Sequence, residues 1–132
     1  MAKRIQECVR ESDFVARMGG DEFTVILPGL KNSENAILVA QKIMQRATEP
    51  ITLEGRELFV STSLGIAIYP VDATDSEGLL RNADAALYRA KELGKNGFQF
   101  FSPEMNARAL ERLISQTAMR KSLDAKDFVV HY

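Results

Sequence analysis

Apolar positions recur along this chain with a changing period, and the changes divide it into segments. In residues 2–10, Ile5 and Val9 share a face with Cys8 beside them, while Lys3, Arg4, Gln6, Glu7 and Arg10 are polar. That four-residue spacing predicts a helix. Residues 13–18 and 22–27 are two strand-like runs flanking Gly19-Gly20. Glycine adopts positive φ at little cost, so the pair predicts a hairpin. Val25, Ile26 and Leu27 form a continuous apolar run, as expected of a strand covered on both faces, and Pro28-Gly29 ends it. Ser33 is the predicted N-cap of a helix reaching about Glu49, with Ala36, Ile37, Val39, Ala40, Ile43, Met44 and Ala47 on its apolar face. Pro50 stops it.

Residues 51–60 predict a short hairpin around Gly55. Its second strand is expected to continue through residues 61–69 to Pro70, since the run is β-branched and apolar. Thr74 and Glu77 have capping-box spacing. The helix they open carries Leu79, Leu80, Ala83, Leu87 and Ala90 on one side, with Gly94 as its C′ residue. Residues 98–101 predict a short strand. Ser102-Pro103 then predicts an N-cap and N1 proline, opening a long helix with Leu110, Leu113, Ile114, Ala118 and Leu123. A further strand starts at Asp127. The order of elements predicts an α+β fold with a mostly antiparallel sheet and flanking helices, of ferredoxin-like type.

Composition narrows the class. Of the 132 residues, 45% are hydrophobic and 27% charged, which is too apolar for a disordered chain. The net charge of −1 argues against a dedicated nucleic-acid binder. The single cysteine, Cys8, excludes an intrachain disulfide and suits a reducing compartment. No apolar run approaches the ~20 residues that span a bilayer, and residues 1–10 have no signal-peptide core. A cytoplasmic location is therefore expected.

Three clusters carry candidate chemistry. In Arg17-Met-Gly-Gly-Asp-Glu-Phe23, two carboxylates follow a glycine turn. Glycines admit a ligand close to the backbone, and adjacent acids can hold a divalent cation. In regular strand geometry Asp21 and Glu22 would face opposite sides, so unequal roles are expected unless the turn bends the chain. The alternative is a plain surface hairpin, since acids and glycines are common in turns. In Lys91-Glu-Leu-Gly-Lys-Asn96, Lys91 and Lys95 lie one turn apart and could grip phosphates; the helix dipole alone also favours cations there. In Arg10-Glu-Ser-Asp13, the arginine and aspartate could form an ion pair, or bind a nucleobase and phosphate.

Together these stretches resemble a known family. Arg17-Met-Gly-Gly-Asp-Glu-Phe23 resembles the signature of the GGDEF domain of diguanylate cyclases. Ser63-Leu-Gly-Ile-Ala67 is similar to that family's central strand, and Asn82-Ala-Asp-Ala-Ala-Leu-Tyr-Arg-Ala-Lys-Glu-Leu-Gly-Lys-Asn96 to its last helix and phosphate-gripping corner. The resemblance covers residues 1–102 as a partial GGDEF domain. Residues 103–132 resemble the connector helix and first strand of a following EAL phosphodiesterase domain. The resemblance implies a nucleotide-cyclase palm and the condensation of two GTP into cyclic di-GMP with release of pyrophosphate, by two such domains meeting face to face as a homodimer.

Carried onto this chain, the resemblance makes Gly19 and Gly20 line the nucleotide. It makes Asp21 a ligand of Mg²⁺ (or Mn²⁺), and gives Glu22 a supporting part at the metal or in activating the 3′-hydroxyl. Lys91 and Lys95 contact the triphosphate; the family often has Arg at the second position, and Lys keeps the charge but loses the fork. Arg10 and Asp13 match the inhibitory RxxD site for the cyclic di-GMP product. The family's first strand and helix, with another metal-binding aspartate, are expected upstream of Ala2, so this chain alone is expected to be inactive. The alternative is a non-catalytic module that senses GTP or cyclic di-GMP and regulates an adjacent EAL domain.

Overall fold

A computed structural model describes residues 1–103. The elements in order are α1 (Ala2–Gln6), β1 (Phe14–Gly19), β2 (Glu22–Ile26), α2 (Ser33–Thr48), β3 (Ile51–Leu53), β4 (Arg56–Leu58), β5 (Leu64–Ile66), α3 (Ser76–Glu92) and β6 (Phe98–Phe100). The fold is α+β, as predicted. Its described strands form three two-stranded ladders rather than one sheet. The β1–β2 and β3–β4 pairs are antiparallel and β5–β6 is parallel. The helix predicted after Pro103 and the strand predicted from Asp127 lie outside the described residues.

The first helix is shorter than its pattern predicts. It ends at Gln6, and Cys8 turns into the core, its thiol donating to the Arg4 carbonyl at 3.1 Å. Burial pushes the Cys8 thiol up, against the pull of Lys42 and Arg46, which makes it a packing group rather than a nucleophile. The guanidinium of Arg4 donates to the carbonyls of Arg46 (3.2 Å), Glu49 (2.5 Å) and Pro50 (2.8 Å). Helix-terminal carbonyls need such donors, so Arg4 ties α1 to the end of α2. Arg46 reinforces the tie by bridging Glu7 (2.5 Å) and Glu49 (2.6 Å).

Ile5, Cys8 and Ile43 form the buried centre, with Val15, Phe23, Val25, Val39 and Leu64 packed around it. On α2, Ala36, Ala40, Ile43 and Ala47 are buried, while Leu38 is 62% exposed. Asn32, not Ser33, caps α2, accepting from the Asn35 N–H at 3.1 Å. Glu49 is extended (ψ 137°), the conformation that a residue before proline is pushed into.

The second layer is α3 against β5 and β6. Its buried face is a stripe of Gly78, Asn82, Ala86 and Ala90; the predicted face residue Leu80 is 44% exposed. Small residues let the helix lie close to the strand. A Cβ on Gly65 would stand 2.0 Å from the Ala83 carbonyl oxygen and 2.3 Å from the Leu87 nitrogen, both backbone atoms. Only glycine fits there. Asp75, not Thr74, is the N-cap of α3, accepting from the Gly78 N–H at 2.7 Å. At its other end Gly94 is the C′ residue (φ 115°), and the Lys95 N–H reaches the Ala90 carbonyl at 3.2 Å, as in a Schellman ending.

The long strand predicted through residues 56–69 is instead two short pieces, β4 and β5. A strand exists where a partner pairs with it: β4 has three residues of β3, and β5 three of β6. Past β5, the Ile68 N–H donates to the Asp72 carboxylate (2.5 Å) and the Asp72 N–H to the Ile68 carbonyl (2.7 Å). Asn82 Nδ2 holds the Asp72 carbonyl at 2.8 Å, which pins this turn to α3.

Candidate active site and product site

The β1–β2 hairpin carries two of the three clusters, at opposite ends. Phe14 pairs with Ile26, Val15 with Val25, Ala16 with Thr24 and Arg17 with Phe23; then the register slips and Gly19 pairs with Glu22. Met18 is therefore the extra residue of a β-bulge. The two central turn residues are Gly20 and Asp21, one position beyond the Gly19-Gly20 turn that the sequence predicts. Gly20 has φ 52°, while Asp21 is not in the left-handed region, as in a II′ hairpin turn. A Cβ on Gly20 would meet nothing within 4 Å, so glycine serves the backbone angle and not the space.

Asp21 sits in the turn and Glu22 opens β2, so the strand rule of alternating faces does not govern this pair. Both are exposed, and neither carboxylate accepts a hydrogen bond from another described residue. Among the described residues no group of three or more His, Cys, Asp or Glu is placed to hold a metal ion. Two hard, exposed carboxylates nonetheless fit Mg²⁺, which is commonly held by one or two carboxylates together with substrate phosphates. They do not fit a cation that needs a complete protein cage.

At the start of β1, Arg10 and Asp13 form no side-chain ion pair with each other. The Asp13 carboxylate accepts the backbone N–H of Arg10 at 2.7 Å, and the Asp13 N–H donates to the Arg10 carbonyl at 3.0 Å. The Arg10 guanidinium is left with no partner among the described residues. It borders a small cavity (≈ 80 Å³) lined by Asp13, Leu27, Leu30, Asn35, Leu38 and Val39, and an adjoining cleft (≈ 220 Å³) reaching Cys8, Val9 and Lys42. A cation at the mouth of an apolar cleft, with Lys42 beyond it, suits a ligand having both flat apolar surface and phosphate. The six residues of β1 separate Asp13 from Gly20, so the two ends stand on the order of 20 Å apart.

Lys91 and Lys95 belong to the other layer. Lys91 lies in the last turn of α3, and Lys95 follows the Schellman ending with φ 61°. Both are exposed. Leu64, packed on the Ile5–Cys8–Ile43 centre, joins that layer to the hairpin. Sequence reasoning assigned no role to Arg17, yet its Nε and Nη2 both donate to the Gly20 carbonyl, at 3.0 and 2.6 Å. Its place in the quoted motif was the only signal. No described helix is long and apolar enough to cross a membrane.

Comparison with known proteins bears on the family and the fold. The family model described as "Diguanylate cyclase, GGDEF domain" matches residues 1–97. The bifunctional diguanylate cyclase/cyclic di-GMP phosphodiesterase MucR of Pseudomonas aeruginosa is 40% identical over 132 residues, which is 100% of this chain and 19% of MucR. Diguanylate cyclase TpbB from the same species is 44% identical over 92 residues, 69% of this chain and 21% of TpbB. This chain thus spans about a fifth of the length of these curated relatives. The solved GGDEF domain of TpbB superposes with a TM-score of 0.78 at 37% identity, covering 83% of this chain and 63% of that one. An EAL/GGDEF domain protein from M. capsulatus gives 0.73 at 50% identity, with 77% and 66% covered. The chain belongs to the GGDEF-domain family of diguanylate cyclases.

Proposed function

We propose that this chain is the nucleotide-handling part of a diguanylate cyclase, joining two GTP into cyclic di-GMP with release of pyrophosphate. The observation that carries the reading is the exposed Gly20-Asp21 turn, with two carboxylates unpaired among the described residues at the tip of a hairpin in a chain of this family. Asp21 would hold Mg²⁺ or Mn²⁺, with Glu22 beside it. The ion would neutralise phosphate charge and polarise the phosphorus under attack. Glu22 is also the base available to take the proton from the attacking 3′-hydroxyl. Gly19 and Gly20 let the nucleotide approach the backbone, and Lys91 and Lys95 supply cations for the triphosphate. A second copy of the domain brings the other GTP.

At the far end of the hairpin, Arg10 and Asp13 would take cyclic di-GMP as an inhibitory product. The reading places the protein in cyclic di-GMP signalling beside an EAL domain, with residues 1–102 as the GGDEF part and 103–132 leading into the next domain. The test is a chimera in which the segment of TpbB preceding its matching region is fused ahead of Ala2. Incubated with GTP and Mg²⁺, it should yield cyclic di-GMP by chromatography, and Asp21→Ala should abolish the product. A folded chimera that binds GTP but makes no product would point to the second reading, a GTP or cyclic di-GMP sensor controlling a phosphodiesterase. That reading is favoured by one finding: cyclic di-GMP phosphodiesterase NbdA of Pseudomonas aeruginosa is 39% identical over 132 residues, 100% of this chain and 17% of NbdA.

A further inference from the structure

We propose that Arg17 is a positioning residue for the candidate site: its guanidinium clamps the bulged Gly20-Asp21 turn and fixes how Asp21 is presented. Both Nε–H and Nη2–H converge on one atom, the Gly20 carbonyl oxygen, at 3.0 and 2.6 Å. The fork thereby sets two N–H donors on that one oxygen from a single planar group. The slip at Met18 explains the need. Between the Arg17–Phe23 and Gly19–Glu22 pairs the ladder is broken by an unpaired residue, just where the chain must turn. A side chain crossing the bulge supplies the hold that the ladder lacks there.

The clamp acts on Asp21 through the peptide plane. The Gly20 carbonyl and the Asp21 N–H belong to one rigid trans unit, so fixing the oxygen fixes the amide, which points away from the guanidinium. The Asp21 Cα, and with it the direction of the carboxylate, follows. Glycine at position 20 cannot do this alone, because its permissive backbone leaves the turn loose. The clamp has a second effect. Arg17 is the nearest cation in sequence to Asp21 and Glu22, yet it forms no ion pair with either among the described residues; the Nε and Nη2 edge of its guanidinium faces the Gly20 carbonyl instead. The carboxylates stay open for a metal-bound phosphate. This last point rests on the diguanylate cyclase reading; the clamp itself does not.

The experiment uses the isotopically labelled chain and its Arg17→Ala and Arg17→Lys variants, observed by NMR. The readouts are the Gly20 carbonyl ¹³C shift, which reports hydrogen bonding to that oxygen, and the backbone order parameters of Gly20 and Asp21. In Arg17→Ala the carbonyl shift should move and the order parameters of Gly20 and Asp21 should fall, while Val15 and Val25 in the hairpin body keep theirs. Arg17→Lys should lie between. Guanidinium ion at low concentration should return the Gly20 shift of Arg17→Ala toward that of the unmodified chain, whereas sodium at equal ionic strength should not. Mn²⁺·GTP should bind the unmodified chain several-fold more tightly than Arg17→Ala. An unchanged Gly20 carbonyl and unchanged turn order in Arg17→Ala would overturn the clamp, as would a loss of order spread evenly along the hairpin. A turn that loosens as expected in a chain that never binds Mn²⁺·GTP would uphold the clamp and overturn the nucleotide reading.

Discussion

At the start of β1 a carboxylate, Asp13, closes on a backbone N–H and leaves the Arg10 guanidinium without a partner among the described residues. At the end of the same strand a guanidinium, Arg17, closes on a backbone carbonyl, and the Asp21 and Glu22 carboxylates have no partner among the described residues. The two ends are electrostatic opposites built by the same device. In each, one charged side chain bonds the backbone, and a neighbour of opposite sign has no partner among the described residues. Their surroundings differ as well. The Arg10 end borders a partly apolar cleft, while the Asp21 end is an exposed hairpin tip. On the proposed reading, an exposed cation beside a cleft calls for an anionic ligand, and an exposed pair of carboxylates for a metal ion with phosphates.

The largest expected effect is at the tip. In the chimera, Asp21→Ala and Glu22→Ala should each lower the rate of cyclic di-GMP formation by about a hundredfold or more, since a metal site supplies several kcal/mol of charge stabilisation. Retention of activity in either would break the assignment of the tip. Next comes Gly65→Ala, which strikes the scaffold common to both ends. Its Cβ would overlap backbone atoms of α3, so a loss of about 3 kcal/mol or more in denaturant unfolding is expected. Full stability in this variant would mean that α3 does not rest on β5 as described.

Arg10→Ala sharpens the comparison from the other side. It should weaken cyclic di-GMP binding by roughly tenfold or more, the loss of a charge-assisted contact, and leave Mn²⁺·GTP binding unchanged in calorimetry. The smallest effect concerns the clasp of α1 on α2. The hydrogen bond from Arg46, against the opposing effect of burial, holds Glu49 below the usual carboxylate range. Its contribution to stability is therefore complete above the ordinary glutamate pKa of about 4.3 and lost as pH falls through the lower folded value. The melting-temperature difference between the unmodified chain and Glu49→Gln should shrink in that acidic range. A difference constant with pH would show that the pair carries no such linkage.

The hairpin, the two long helices and the Gly94 ending were legible in the sequence because each rests on local chemistry: a glycine pair, apolar spacing, a C′ glycine. What was not legible depends on distant partners. The length of β5 is set by β6, some thirty residues later, so the β-branched run at residues 59–63 could not be read as strand or loop by itself. The buried stripe of α3 runs through Gly78, Asn82, Ala86 and Ala90 because Gly65 admits the helix so closely, and hydrophobicity alone points to Leu80 instead. At the candidate site the residues were legible from the motif, but the bulge at Met18 and the turn at Gly20-Asp21 were not. A slip of one residue leaves the composition unchanged and alters where every side chain near the tip is placed.

The central claim is that the two ends of one hairpin take different guanine nucleotides. NMR mapping on the labelled chain tests it most directly, with Mn²⁺·GTP and cyclic di-GMP added in separate titrations. Mn²⁺·GTP should broaden the resonances of Gly20, Asp21 and Glu22 and spare Arg10 and Asp13. Cyclic di-GMP should shift Arg10, Asp13, Leu38 and Lys42 and spare the tip. Both ligands acting at the same end, or neither acting at either end, would contradict the account.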